Sequence, residues 1–193
     1  MKHRFVAALA AFITVGTLAT ASSYAGPLDS AFRGFGASTS QAGIAARSAL
    51  PPLGYQIYCL RNKAECRSKG AAVVPYTAKL ASDLQRVNRS VNRSIRFKSD
   101  RGDVWQASVT EGDCEDYVLT KRKKLIRMGV SANALRVASV RNSRGERHAV
   151  LVVRTSKGEL VLDNARSQIL PRNKTGYRWV AMSSENPHRW SRL

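Results

Sequence analysis

The chain has 193 residues, of which 44% are hydrophobic and 23% are charged, with 13 glycines and 6 prolines. This length corresponds to one domain, or to one domain preceded by a targeting segment, and the composition excludes a collagen-like chain and a wholly disordered one. Lysine and arginine number 32 against 13 acidic residues, a formal net charge of +19. Two interpretations compete for that charge: nucleic-acid binding, or a basic exported protein beside anionic polymers of the cell envelope.

Residues 1–25 have the pattern of a cleaved signal peptide. A basic start at 2–4 precedes an uncharged, alanine-rich run at 5–21, and Ser23 and Ala25 are the small residues that signal peptidase requires before its cleavage point. The run is short for a membrane-spanning helix, although an uncleaved anchor remains the alternative. We therefore expect a periplasmic or secreted protein, cleaved after Ala25, with no nucleic acid as its natural partner.

The rest of the chain divides into a leader and one folded domain. Residues 26–54 are rich in Ala, Ser and Gly and predict a flexible leader to a domain at 55–193. Within the domain, apolar residues recur at helical spacing over 77–95 and predict an amphipathic helix. A second helix is predicted at 114–128, with Asp113 as its N-cap residue.

The second half of the domain has the pattern of β-strands separated by short turns. Strands are predicted at 135–141, 147–154, 159–163 and 177–182. Helices followed by a meander of antiparallel strands indicate an α+β domain with one core. The polar end of the chain, 185–193, is expected to fray.

Cys114 is the strongest candidate for a nucleophile. It occupies the first turn of the predicted helix, where unpaired backbone N–H groups and the helix dipole favour a thiolate. A nucleophilic cysteine needs a base, and His148 and His188 are the histidines beyond the predicted signal peptide. His148 begins a strongly β-prone strand, whereas His188 lies in the polar end of the chain, so we assign the base to His148.

Asp163 is the candidate partner of His148. If Ser156 and Lys157 form a two-residue hairpin loop, position 150 faces Asp163, and His148 becomes its diagonal neighbour on the same face of the sheet. A one-residue change in that loop would put the two side chains on opposite faces. Each residue also has a plain structural interpretation: a buried cysteine, a structural histidine and a turn-forming aspartate.

Three short strings of the sequence resemble a known family. They are Gly-Asp-Cys-Glu-Asp-Tyr at 112–117, His-Ala-Val-Leu at 148–151 and Leu-Asp-Asn at 162–164. Together they resemble the bacterial transglutaminase-like cysteine proteinases, which include the LapG-type periplasmic proteases that cut large surface adhesins. The resemblance covers most of the chain beyond the leader and implies a papain-like, transglutaminase-like core with the nucleophile at a helix N-terminus.

The resemblance also implies roles and partners. Cys114 would be the nucleophile, His148 the general acid and base, and Asp163 the residue that orients the imidazole. The substrate would be a protein of the cell envelope, such as a surface adhesin, and an inner-membrane receptor would be a regulatory partner. Anionic envelope polymers remain a further partner suggested by the net charge.

The acidic residues beside the cysteine point to calcium. In LapG-type members the residues that correspond to Asp113, Glu115 and Asp116 are associated with this ion. Three carboxylates would raise the pKa of the adjacent Cys114 thiol, and a bound divalent cation would offset that effect. The alternative is that these acids only cap the helix and complement its dipole.

Cys59 and Cys66 lie seven residues apart and can form a disulfide in an oxidising compartment. That pairing would leave Cys114 as the free thiol, whereas either other pairing would consume it.

The sequence thus predicts a cysteine endopeptidase that acts through an acyl-enzyme. Two alternatives remain: acyl transfer to amines, as in transglutaminases, and a non-catalytic protein that binds polyanions or envelope polymers.

Overall fold

An antiparallel sheet of seven strands is the largest element of the computed structural model, which describes residues 47–193. The predicted signal peptide and most of the predicted leader lie outside the described residues. In chain order the strands are β1 (Ser48–Ala49), β2 (Arg96–Phe97), β3 (Glu111–Gly112), β4 (Leu135–Arg141), β5 (Arg147–Thr155), β6 (Gly158–Leu162), β7 (Leu170–Pro171), β8 (Arg178–Ser183) and β9 (Trp190–Arg192). The large sheet has the order β1-β9-β8-β4-β5-β6-β7, and β2 and β3 form a separate parallel pair.

Three α-helices precede the main run of strands: α1 (Leu53–Arg61), α2 (Ala78–Ser94) and α3 (Cys114–Arg127). The α2 helix begins where the sequence predicts, because the Thr77 hydroxyl accepts a hydrogen bond from the Leu80 N–H at 3.1 Å. The α3 helix is followed by Gly129, whose φ of 89° ends the helix in the left-handed region. Within 47–193, none of the helices combines the length and the apolar character needed to cross a membrane.

The sheet separates two apolar clusters, because alternate residues of a strand face opposite sides. Val137, Leu151 and Val153 face the helices and join the main core, whereas Val140 and Val152 lie in a smaller cluster on the opposite face. All five are at most 1% exposed. Full burial of each such side chain stabilises the fold by about 1.5–3 kcal/mol. The predicted α+β class is confirmed.

The β5–β6 hairpin has the register that puts His148 and Asp163 on the same face of the sheet. Thr155 pairs with Gly158, so the loop contains two residues, and Leu151 pairs with Leu162 further along. The φ of 103° at Gly158 accommodates this tight turn. His148 and Asp163 therefore lie on the same face of the sheet.

The two ends of the described chain correct the predicted boundaries. β1 pairs with β9 through Ser48↔Ser191 and Ala49↔Trp190, and α1 begins at Leu53. The folded domain thus begins before the predicted boundary at Tyr55. The end of the chain does not fray, because Trp190 is 3% exposed and packs edge-to-face on Tyr55 with ring centroids 5.5 Å apart.

Cys59 and Cys66 are joined by a disulfide that links the end of α1 to the loop after it, and both residues are buried. Cys114 is a free thiol. The predicted pairing is present in the structure.

Replacing both Cys59 and Cys66 with alanine is expected to lower the free energy of unfolding by about 2.5 kcal/mol, because the bond restricts a short loop in the unfolded chain. Urea denaturation measures the free energy of unfolding of the double variant, and the Cys114→Ala variant, which keeps the disulfide, is the control. Peptide mapping without reductant should recover Cys59 linked to Cys66, with Cys114 free. A bond to Cys114 would contradict the assignment.

Candidate active site

Cys114 is the first residue of α3, and the residues around it fix the start of the helix. Asp116 accepts hydrogen bonds from two backbone N–H groups, that of Gln106 at 2.7 Å and that of Asp113 at 3.2 Å. A Cβ atom on Gly112 would lie 2.1 Å from the Asp116 carboxylate, so the position needs glycine. The Gly-Asp-Cys-Glu-Asp string is thus a local structure in which Asp116 ties α3 to the preceding loop.

The Cys114 thiol contacts both an acid and the sheet. Its Sγ donates a hydrogen bond to Glu115 Oε2 at 2.9 Å and accepts one from the backbone N–H of Ala149. Burial raises the pKa of the thiol, and the Glu115 and Asp113 carboxylates raise it further, against the opposing effect of the Ala149 N–H. These residues by themselves therefore favour the neutral thiol.

The histidine and the aspartate are brought together at the start of β5. His148 Nε2 lies 2.8 Å from Asp163 Oδ1, and the His148 and Asp163 side chains are 13% and 3% exposed. Burial would raise the pKa of Asp163, but the hydrogen bond and charge of His148, with donors from Tyr177 and Ala165, lower it overall. The carboxylate is therefore ionised and holds the imidazole through Nε2, and Nδ1 takes no part in this contact.

The described residues contain no hydrogen bond between Cys114 and His148. Cys114 and His148 are nevertheless neighbours, because the Cys114 sulfur accepts a hydrogen bond from the backbone N–H of Ala149, the residue after His148. The thiol proton is directed to Glu115 instead of the imidazole. The structure thus brings His148 and Asp163 into contact and places Cys114 beside them with its thiol bonded to an acid.

Tyr177 is a site residue that the sequence analysis did not identify. Its hydroxyl donates to Asp163 Oδ2, and its ring lies 5.6 Å from the His148 ring, centroid to centroid. The sequence predicts Tyr177 only as the start of a strand. No spacing or motif marks it, because the hairpins that bring it to Asp163 are separated by an irregular segment.

Lys121 is an unusual feature of α3 behind the site. Its side chain is fully buried, and Nζ lacks a hydrogen-bond partner among residues 47–193. Burial lowers the pKa of this ammonium to about 7, and the negative charge of Asp163 acts in the opposite direction.

The Lys121→Met variant is expected to be more stable than the wild type at pH 7, and the difference should shrink by about 1.4 kcal/mol per pH unit toward pH 9.5. The reason is that the pKa of Lys121 is lower in the folded protein than its value near 10.4 in the unfolded chain. Between these values the unfolded wild type binds the additional proton, so its stability rises with pH. Urea denaturation of both proteins at several pH values measures this, and a pH-independent difference would contradict it.

A groove of about 1020 Å³ lies next to these residues. Glu115 and His148 line it on one side, and Trp105 and Trp179 contribute aromatic walls. Trp105 is 7% exposed and its indole N–H donates to Asp103 at 2.6 Å. A concave surface with apolar walls and a few polar groups is typical of a binding site for an organic ligand or a peptide.

Residues 45–193 match the family model described as "Bacterial transglutaminase-like cysteine proteinase BTLCP". The chain belongs to this family. The predicted family and its transglutaminase-like fold are thereby confirmed, and Cys114, His148 and Asp163 lie within the matched residues.

Solved structures of LapG from Legionella pneumophila are similar to this proteinase family member. The calcium-bound form has a TM-score of 0.50 and 25% sequence identity, over 53% of this chain and 64% of that chain. The EGTA-treated form has a TM-score of 0.49 and 26% identity, over 53% and 62% of the two chains. The alignment thus spans less than two thirds of LapG. The comparison with curated proteins found no match.

The acidic residues at the start of α3 fit a cation only in part. Potential ligand atoms of Asp113, Cys114 and Glu115 lie within 4.8 Å of one another, and Asp113 Oδ1 is buried and has no hydrogen-bond partner among the described residues. Burial and the neighbouring Asp113 carboxylate raise the pKa of Glu115 to about 7, as expected for two acids without a counter-ion. Asp116 is committed to the two backbone N–H groups, so the structure separates it from the predicted ligand set.

Proposed function

We propose that this protein is a periplasmic cysteine endopeptidase that uses Cys114, His148 and Asp163. The observation that carries the proposal is the 2.8 Å contact between His148 Nε2 and the buried Asp163 carboxylate, beside a free thiol at a helix N-terminus. This arrangement provides a nucleophile, a base and a group that orients the base. Membership of a cysteine proteinase family supports the same chemistry.

The first half of the reaction forms a thioester. The thiol proton passes from Cys114 to Nδ1 of His148, and the sulfur attacks the carbonyl carbon of the scissile peptide bond, whose oxygen becomes negatively charged. As the intermediate collapses, the carbon–nitrogen bond breaks and the leaving amine takes the proton from His148. Asp163 stabilises the imidazolium and fixes the ring orientation throughout.

The second half releases the acid product. His148 removes a proton from water, and the resulting oxygen nucleophile attacks the thioester carbon. The carbon–sulfur bond then breaks, and the proton held by His148 returns to the sulfur of Cys114. The enzyme is regenerated with no change in oxidation state.

Calcium is the cofactor that we propose, because the similar LapG has been solved in a calcium-bound form. Asp113 and Glu115 would hold it, with the remaining oxygen ligands from carbonyl groups and water. When bound, the ion would supply positive charge that offsets the two carboxylates and lowers the pKa of the adjacent thiol. With Glu115 held by the ion, the Cys114 thiol would lose the acceptor of its hydrogen bond, and its proton could pass from the sulfur to His148.

Chelation with EGTA is expected to abolish activity, and calcium should restore it more effectively than magnesium, which requires a tighter octahedron. In calorimetric titration, Glu115→Gln should bind calcium at least about tenfold more weakly than wild type, because a charged ligand is lost. Asp116→Asn is the control, since its carboxylate is bonded to backbone N–H groups, and it should lower stability while it retains calcium binding. Full activity in EGTA with no binding heat would refute the cofactor.

The substrate, the location and the regulator follow from the family resemblance and the sequence. We propose that the enzyme is exported after cleavage at Ala25, that it cuts a protein of the cell envelope such as a surface adhesin, and that an inner-membrane receptor controls it. Measurement of the mature N-terminus and of the cell fraction that contains the protein tests the export step.

Product masses test the reaction type. The purified protein, supplied with calcium, is incubated with a peptide library, with and without excess lysine. If the protein is a peptidase, the two product masses together exceed the substrate mass by one water, both with and without lysine. Products that carry lysine would indicate acyl transfer to amines. An absence of products from the wild type, with salt-dependent heparin binding that survives Cys114→Ala, would favour a polyanion-binding protein.

A further inference from the structure

Three arginines form a row across neighbouring strands at one end of the sheet. Arg147 of β5 pairs directly with Arg141 of β4, and Arg141 pairs on its other side with Arg178 of β8. Like charges directly opposite each other destabilise a sheet. This arginine row (Arg141, Arg147 and Arg178) therefore has a cost in stability for which the fold alone offers no compensation.

The arginine row has no acidic partner within the described part of the chain. Arg141 donates to the carbonyl of Gly145 at 2.7 Å, and no ion pair involves it or the other two arginines of the row. Some arginines elsewhere are paired, as in Arg144 with Glu146 at 2.9 Å and Arg172 with Glu159 at 2.9 Å, whereas some exposed arginines of the helices have no ion pair within 47–193. The arginine row is set apart by its alignment, since three arginines without counter-ions in that range lie directly opposite one another on neighbouring strands.

The arginine row lies beside the proposed catalytic residues. The adjacent cross-strand row consists of His148, Val140 and Trp179. Strand alternation turns the arginine row to the side of Ala149, which packs in the core with α3 and whose N–H contacts the sulfur of Cys114. All three arginines line the same groove as His148 and Glu115. A fourth, Arg192 of β9, lines it as well and also has no ion pair within 47–193.

On the basis of the proposed peptidase function, we propose that the arginine row binds acidic side chains of the substrate close to the scissile bond, and that the enzyme selects acidic segments. The planar guanidinium groups match carboxylates in bidentate geometry. Their attraction is stronger in a groove with aromatic walls than on an open surface, because less water screens it. Exposed apolar side chains at the rim of the groove, Leu53 and Val180, add contacts to neighbouring substrate residues.

Binding to an inactive enzyme tests the arginine row independently of catalysis. The Cys114→Ala variant is titrated with two fluorescent peptides of equal length, one with Asp and Glu residues and the other with Asn and Gln in their place. The acidic peptide should bind at least about tenfold more tightly, since hydrogen bonds to charged groups contribute that much. Changing the arginine row to glutamine should remove this preference.

A matched variant separates the arginine row from the general positive charge. Arg89, Arg93 and Arg127 are exposed and lie outside the groove lining, so changing all three to glutamine removes the same net charge. This variant should keep the tenfold preference. An equal loss of preference in both triple variants, or no preference in the parent protein, would overturn the proposal.

Cleavage of a peptide library by the wild type completes the test. Cleavage sites with Asp or Glu enriched nearby, and loss of this enrichment in the arginine-row variant, support the proposal. Cleavage without acidic enrichment overturns the arginine row but leaves the peptidase function standing. Binding that depends on the arginine row, with no cleavage under any condition, would instead remove the peptidase function and keep the acidic-ligand site.

Discussion

The Cys114→Ala variant is expected to lose at least about 10⁴-fold in kcat/KM for peptide hydrolysis, because the acyl-enzyme cannot form without the sulfur. The side chain is small and partly buried at the start of α3, and within residues 47–193 its sulfur hydrogen-bonds to Glu115 and to the N–H of Ala149. We therefore expect the fold to remain intact. Initial rates on a cleavable peptide and urea denaturation measure the two effects.

The control for the Cys114 variant is the loss of the other two cysteines. The Cys59→Ala, Cys66→Ala protein should be less stable but should keep its activity at temperatures where it is folded, because the disulfide joins the end of α1 to the following loop and includes no site residue. Labelling the wild type with an iodoacetamide probe should modify Cys114. Activity of Cys114→Ala near that of wild type would refute the assignment of the nucleophile.

His148→Ala is expected to be almost as damaging as Cys114→Ala, whereas Asp163→Asn should cost about 100-fold less than either. The imidazole moves protons in both halves of the reaction, so nothing replaces it. The Asp163 carboxylate contacts Nε2 at 2.8 Å and orients the ring, and the Tyr177 ring, tilted against His148 at 5.6 Å between centroids, should retain part of that orientation. Values of kcat/KM for the two single variants give the order.

His188 provides the matched control for His148. It is exposed, and its backbone N–H donates a hydrogen bond to the Asn186 side chain at 2.9 Å. His188→Ala should therefore stay within about threefold of wild type, as for surface changes away from a site. If His188→Ala were the more damaging histidine change, the base would have been assigned to the wrong residue.

The local elements could be predicted because their signals are local. In α2, Leu84, Val87 and Val91 repeat at helical spacing and are all buried. The pattern therefore predicts both the helix and the face that packs in the core. The hairpin between β5 and β6 followed from two residues at its turn and from β-branched strands. The sequence permitted this register without deciding it, and the structure contains the two-residue loop that puts His148 and Asp163 on one face.

The contacts that escaped prediction join distant parts of the chain. β1 and β9 are two and three residues long, too short for a strand pattern, and they pair where Trp190 packs against the distant Tyr55. Asp116 is three residues from Asp113, a spacing that predicts two ligands of one metal ion. In the structure its carboxylate instead accepts a hydrogen bond from the backbone N–H of Gln106. A sequence pattern gives residue types and spacing. It does not show which of two possible partners a carboxylate binds.

The ends of the sheet have a consequence for how a substrate can be held. Both outer strands, β1 and β7, contain only two residues, and β7 ends in Pro171, which has no N–H to offer. An extended peptide that pairs as an additional strand at either edge of the sheet would form too few backbone hydrogen bonds for stable binding. Under the proposed peptidase function, the groove therefore holds the substrate backbone, and side-chain contacts there select among substrates.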